Sequence, residues 1–434
     1  MNVKIMKSSI LRTLNGEYYN FYLNQNNKLM MDKFNSLNSL MSTSLVANEY
    51  ILDFSAFIDE KDKVHLIYLL KDGNLIYSIY FNDKWSESLV GKFNLKSNIY
   101  NNLSIYIIEN VIYIFYAYAN LINKKIWTME VIIGNKTNWT KKRITTILSE
   151  NSFNSFRVDY DKIGNIHFVY TSREGEINQV YYTFYNTYMR NWNQIPFQIS
   201  DSNTSNLFPY LFVDSKDNIH ILWYTLKNKD YELQYKKLSP NGKDKYKWRS
   251  INLPSIKNCT FTPIMFESKD TLKIVYLKNK TINSLYSLDN GESWNINDKI
   301  NLHSENFHFS NYISNFGKDY FLGKSNNFYC KINNEILFYF KDNHDDNLKI
   351  EMETSESLHE NIENKNNEGI EKFPETKETD DLTKLKESMT EMSNTIKEIQ
   401  ISIDNMEDDI LTLKKTIKKK DDVNFLEKLL AFFK

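Results

Sequence analysis

Over residues 1–340, apolar and polar positions alternate in short runs broken by clusters of Asn, Asp, Gly and Lys. The period is two, not the three-to-four spacing of an amphipathic helix, so the runs predict half-buried strands. Residues 52–92 are the clearest case. They predict strands near 52–58, 63–70, 74–81 and 86–92, with the turn KDGNL at 71–75 between the second and third.

The same arrangement returns along the chain. Residues 59–69 (DEKDKVHLIYL), 161–171 (DKIGNIHFVYT) and 214–225 (DSKDNIHILWYT) each place a polar turn before an apolar residue, a His, two apolar residues and an aromatic. Residues 268–277 repeat this with Lys273 for the His, and Tyr113 takes that slot in 109–117. A second landmark is in phase with the first. Trp85, Trp139, Trp192, Trp248 and Trp294 follow turn-like clusters at intervals of 54, 53, 56 and 46 residues. A self-similar period of this length marks a repeat architecture, and each unit holds four strands. One twisted four-stranded sheet cannot bury both faces, whereas a closed ring of such sheets can. The fold class is therefore mainly β, a single β-propeller over 1–340. Five units span 48–302. Residues 8–47 and 303–340 lack the tryptophan but carry strand-like runs, which predicts seven blades, or six if the two flanks merge into one. His65, His167 and His220 sit on strand faces that should meet a neighbouring blade, so they are expected to hydrogen-bond between blades.

The pattern changes after Phe340. Residues 341–381 are rich in Asp, Glu, Asn and Lys and predict an acidic, flexible linker. From 382 to 420 the period becomes heptad. One seam carries Leu382, Met389, Ile396, Ile403, Ile410 and Ile417, and the other carries Leu385, Met392, Ile399, Met406 and Leu413. This predicts an oligomerising coiled coil, with self-association as the first partner. Lysines 418–420 break the register. Residues 421–434 then predict a short amphipathic helix whose Val423, Phe425, Leu426, Leu429, Leu430, Phe432 and Phe433 offer a surface for a membrane, a protein groove or self-packing.

Charge divides the chain at the same place. Residues 1–340 carry 39 basic and 31 acidic side chains, and residues 341–434 carry 15 and 24. Cys259 and Cys330 are the only cysteines, so neither a disulfide framework nor a Cys-based metal site is expected. The start lacks a secretory signal pattern, and no apolar run reaches the ~20 residues of a membrane span. A cytoplasmic location, extending to a membrane surface, is the expectation. Phosphate-loop, zinc-protease and serine-elbow motifs are absent, no cofactor is implied, and the aromatic segments lack the basic partners of a nucleic-acid platform.

One turn carries recognisable chemistry. Residues 287–294 read Ser-x-Asp-x-Gly-x-Ser-Trp through Ser287, Asp289, Gly291, Ser293 and Trp294. A carboxylate there can accept the turn's own amides, and glycine can take a positive φ. The segment resembles the Asp-box, or BNR repeat, which joins the third and fourth strands of blades in sialidase-like propellers. The resemblance implies a structural role for these five residues. Sialidases also carry an Arg triad for the substrate carboxylate, a Tyr–Glu nucleophile pair and an Asp acid/base. This chain has six arginines, of which Arg157 and Arg12 are the candidates for inner strands, and it lacks the Arg-Ile-Pro motif. No catalytic residue is therefore assigned. The expected function is a non-enzymatic scaffold, its propeller binding a protein or glycan and its coiled coil multiplying the contacts. The alternatives are a glycan-processing, sialidase-like hydrolase with a divergent site and a peripheral membrane tether.

Overall fold

The computed structural model describes residues 4–339, apart from 136–137, 150–155, 202, 228–229, 279–280, 302–305, 323 and 325. The linker at 341–381, the heptad positions of 382–420 and the apolar helix of 421–434 lie outside the described residues. Among the described residues no helix is long and apolar enough to cross a membrane.

Residues 4–338 form a β-propeller built from seven strand units. The second unit runs through Ile51–Ile58, Val64–Leu70, Asn74–Phe81 and Lys84–Lys92, close to the strands the alternation predicts. The third spans Asn98–Ile108 to Trp139–Leu148, and the fourth Arg157–Tyr160 to Phe197–Gln198. The fifth spans Asn206–Val213 to Trp248–Ser250, and the sixth Cys259–Ser268 to Asn295–Asn301. In each, neighbouring strands pair antiparallel, and the first strand lines a central channel.

The first unit (Lys4–Arg12 to Leu40–Ala47) and the last (Asn306–Ser314, Asn327–Ile332 and Ile336–Phe338) share one seven-stranded sheet. Their two innermost strands pair in parallel, from Lys4↔Asn306 to Arg12↔Ser314. Parallel pairing is required here because every inner strand runs the same way along the channel. Seven units thus make six continuous sheets, which reconciles the two blade counts the sequence leaves open. Further out, Asn38 exchanges hydrogen bonds with the backbone of Ile336 at 2.8 and 3.1 Å.

The repeated histidines explain why the units stay in phase. His65 Nδ1 lies 2.5 Å from the Tyr77 hydroxyl, and His167 and His220 lie 2.7 Å from those of Tyr182 and Tyr235. These bonds lie within a blade, contrary to the expectation of bonds between blades. His65 stands opposite Ile79, His167 opposite Phe184 and His220 opposite Lys237. In every case the tyrosine is two residues before that partner, which is the diagonal neighbour on the same sheet face.

The other ring nitrogen turns to the blade's first hairpin. His65 Nε2 is 3.1 Å from Asp59 and His220 Nε2 is 3.0 Å from Asp214, whereas His167 stands off at 3.5 Å from Asp161. A carboxylate can only accept, so in the first two Nε2 carries the proton and Nδ1 accepts from the tyrosine. The second oxygen of each aspartate holds its own turn. Asp214 Oδ1, for example, accepts from the Lys216 and Asn218 amides at 2.8 Å.

The bridge between blades comes from the next landmark. Trp139, Trp248 and Trp294 meet Tyr77, Tyr182 and Tyr235 edge-on, with centroids 5.7, 5.0 and 5.5 Å apart. Each tryptophan belongs to the following blade. The two sequence landmarks are therefore one device, Asp–His–Tyr within a blade and Trp from its neighbour.

The turn at 287–294 feeds the same device. Asp289 accepts from the Ser287 hydroxyl at 2.7 Å and from the Glu292 and Ser293 amides at 3.0 and 2.9 Å. Gly291 has φ +87°, and a Cβ there would collide with the Tyr235 hydroxyl. Glycine at this position lets the turn close over the fifth blade's His220–Tyr235 pair.

Candidate functional site

The inner strands of the blades enclose a cavity of about 690 Å³ on the propeller axis. Its wall carries Phe57, Tyr106, Phe156, Tyr160 and Phe309 among the rings, with Asn102, Asn311, Ser9 and Ser104 among the polar groups. Alternation produces this mixture. On an inner strand neither side chain row faces bulk water, so small hydroxyls stand where neighbouring blades converge and aromatics fill the gaps between them.

One end of the channel is crossed by the connection between the first two strands of the last blade, which includes the helix Gly317–Leu322. Asn315 donates to the Asp59 carbonyl at 2.6 Å and to Asp62 at 2.8 Å, anchoring the connection to the second blade. Asp319 takes Arg12 of the first blade at 2.9 Å. The Lys324 carbonyl accepts from the Glu267 amide of the sixth blade at 2.8 Å. The Lys324 ammonium then reaches Asp159 and the Tyr160 carbonyl of the fourth blade at 2.8 and 3.1 Å. Bonds to four blades lay this segment across the opening as a floor.

Of the carboxylates that line the cavity, Asp159, Asp161, Asp214, Asp217, Glu267 and Asp319 each accept hydrogen bonds from the chain itself. Asp159 also accepts the Val213 amide at 2.7 Å. Glu267 holds the Ser215 amide and hydroxyl at 2.9 and 2.7 Å. Asp214 is raised by burial, but the hydrogen bond and charge of His220, with Asn218, bring it down to about 2. A general acid needs a carboxyl held neutral near working pH, and Asp214 is pushed the opposite way. The tyrosines are no better as nucleophiles. Burial raises Tyr160 to about 12 and pushes Tyr106, Tyr210 and Tyr329 up as well.

The two arginines singled out as inner-strand candidates end in different places. Arg12 lies between the rings of Tyr18 and Phe316, 4.5 and 3.9 Å from their centroids, and is consumed by Asp319. Arg157 opens the fourth blade's inner strand and lines the cavity. Its guanidinium lies 5.3 Å from the ring of Phe309, on the seventh blade. The five residues singled out in the turn at 287–294 sit away from the cavity, as none of them lines it. Lys324 escaped the sequence reading, because nothing in the pattern of 315–326 marks a segment that crosses a channel.

No protein-family model matches the chain, and no curated protein matches it. Solved structures similar to it include the Aleuria aurantia lectin, described as a six-bladed β-propeller with a novel fucose recognition mode. That pair is 12% identical, covering 70% of this chain and 97% of the lectin, with a TM-score of 0.41. The BP39L lectin of Burkholderia pseudomallei is 10% identical over 66% of this chain and 81% of its own, with a TM-score of 0.46. A thermostable family-43 glycoside hydrolase is 13% identical over 58% of this chain and 96% of its own, with a TM-score of 0.34. Likenesses of this size bear on neither ligand nor activity.

Proposed function

We propose that the propeller is a binding module whose axial channel takes a hydroxyl-rich ligand, a glycan, without transforming it. The observation that carries this is the axial cavity of about 690 Å³, lined by rings, amides and hydroxyl-bearing residues. Its size falls within the range of small-molecule sites. Rings stack on the C–H faces of sugars, and Asn and Ser side chains both donate and accept toward sugar hydroxyls. The engaged carboxylates and raised tyrosines argue for binding over hydrolysis.

The heptad positions from Leu382 to Ile417 enter this reading as the means of presenting several channels together, raising weak contacts by avidity. The turn at 287–294 enters it as blade construction of the BNR kind, remote from the ligand. The apolar side of residues 421–434 would then attach the assembly to a partner or membrane.

Screening the full-length chain against an immobilised glycan array, alongside a panel of chromogenic glycosides, tests the proposal. Binding to a subset of glycans without turnover is the expected result. Turnover of any glycoside, abolished by Arg157→Ala, would replace the module with an enzyme. Sedimentation of the same sample would show an assembly larger than the monomer, and a monomer at micromolar concentration would remove the avidity argument.

A further inference from the structure

We infer that the propeller rests on an anionic lipid surface through the hairpin tip of its third blade, residues 121–125; the inference is independent of the channel. The tip joins the blade's second and third strands, Val111–Asn120 and Ile126–Gly134. The floor is anchored at Asp59 and Asp62, in a turn between first and second strands, so the tip belongs to the other face of the propeller. Leu121 and Ile122 are exposed there, Ile122 at 97%. Ile126 and Leu148, directly opposite each other in the ladder, continue the apolar surface to the blade's outer strand. Ile99, near the start of the inner strand, extends it inward. Exposed aliphatic residues are ordinary when scattered singly, whereas a cluster in one blade marks an interaction surface.

The turn itself does not require these side chains. The equivalent hairpins read NQNNK at 24–28, KDG at 71–73 and EGE at 174–176, with no apolar residue among them. Nor is the exposure that of a loose segment. The Leu121 amide donates to the Ser97 carbonyl at 2.8 Å and the Ile122 amide to the Asn120 side chain at 2.9 Å. The Ser149 amide donates to the Lys125 carbonyl at 2.8 Å. The tip is thus a fixed apolar finger.

Charge selects the partner. Lys71, Lys92, Lys96, Lys124 and Lys125 are exposed on this face of the second and third blades, and among the described residues none of them is in an ion pair. Glu49 and Asp72 are the described carboxylates that oppose them there, apart from Asp53, which is paired with Lys7. Glu150, outside the described residues, still leaves the balance positive. The fourth blade's hairpin adds Arg173, Glu174 and Glu176, so the basic side lies toward the second blade. Two lysines therefore follow directly after a projecting isoleucine. A bilayer interface accepts both at once, since aliphatic chains enter the acyl boundary while lysine stems carry their ammonium groups to anionic headgroups. A projecting tip suits a medium that yields around it, whereas a protein partner would need a groove shaped and charged to match.

Co-sedimentation of the full-length chain with vesicles of phosphatidylcholine, with and without phosphatidylserine, tests this. The native chain should bind the phosphatidylserine vesicles about ten-fold or more tightly than phosphatidylcholine alone, and added salt should weaken that binding. Ile122→Asp should lower it about ten-fold or more, and so should Lys124→Glu combined with Lys125→Glu. Melting temperatures should stay at the native value, because these side chains are exposed. Ile163→Asp, at a residue 71% exposed in a turn on the floor's face, is the control and should bind like the native chain. Absence of pelleting with either vesicle would overturn the inference, as would equal binding to both lipids. Undiminished binding by Ile122→Asp would overturn it too and assign the attachment to residues 421–434. An equal loss in Ile163→Asp would show an effect of added negative charge alone, with the same consequence.

Discussion

Asp214→Ala should destabilise the propeller by about 3 kcal/mol, since each buried donor left without its acceptor costs about 1–3 kcal/mol, measured as a fall in the urea midpoint. Asp214 and His220 are both almost fully buried, at 1% and 0% side-chain exposure. The substitution strips Nε2 of its acceptor and releases the turn amides of Lys216 and Asn218 in one step. Asp59→Ala, at the equivalent position of the second blade, should cost distinctly less, since its carboxylate is 23% exposed and water can replace it. Equal losses at the two positions would show that burial of the pair is not what sets its worth.

The same carboxylate makes a pH prediction. Asp214 is held at about 2 in the folded chain, below the ~3.9 of an unfolded aspartate. Its contribution is therefore complete above about pH 4 and is lost as the pH falls toward 2. Asp214→Asn keeps an acceptor for the turn and cannot titrate. Its unfolding midpoint should be lower at neutral pH but flatter between pH 4 and 2.

Ser9→Pro should open the ring. Ser9 sits in the strand that joins the first and last blades, buried between Phe21 on one side and Asn311 on the other. A proline in the middle of a seven-stranded sheet removes a ladder bond and has no solvent-facing side to turn toward. Loss of amide-exchange protection is expected in 306–314 as well as in 4–12, although those segments lie some three hundred residues apart. Ser42→Pro provides the comparison. It lies in the outer strand Leu40–Ala47, which is exposed over most of its length, and edge strands tolerate proline. Comparable effects from the two prolines would argue against closure through the inner strands.

These positions show how much the sequence could reveal. The tryptophan and histidine landmarks disclosed the blade period because every unit repeats the same contact. Their geometry was only half legible. Alternation told which face His220 occupies, but not that Tyr235, one strand over and two residues along, would take its hydrogen bond. The signal was present as a tyrosine at one fixed diagonal offset in three blades. The closure of Lys4–Arg12 on Asn306–Ser314 had no local signature, since parallel pairing across the whole propeller leaves no turn between the partners. The floor was illegible for a similar reason. Lys324 is an ordinary lysine in an irregular segment, and only the folded chain brings it to Asp159. Arg157 could be read as an inner-strand candidate, whereas its seat against Phe309 of the seventh blade appears only in the folded ring.

The most direct test of the account fills the channel. Ser104 lines the cavity, and its hydroxyl makes no hydrogen bond among the described residues, so Ser104→Trp obstructs the space without breaking a bond. Binding of the full-length variant to the glycans selected by the native chain would be measured beside its melting temperature. With the channel as the site, affinity falls about ten-fold or more in a variant that still melts cooperatively, although the sealed Ser104 hydroxyl means that overpacking lowers the melting temperature somewhat. Undiminished binding by a folded Ser104→Trp protein would contradict the account and place the ligand elsewhere on the propeller.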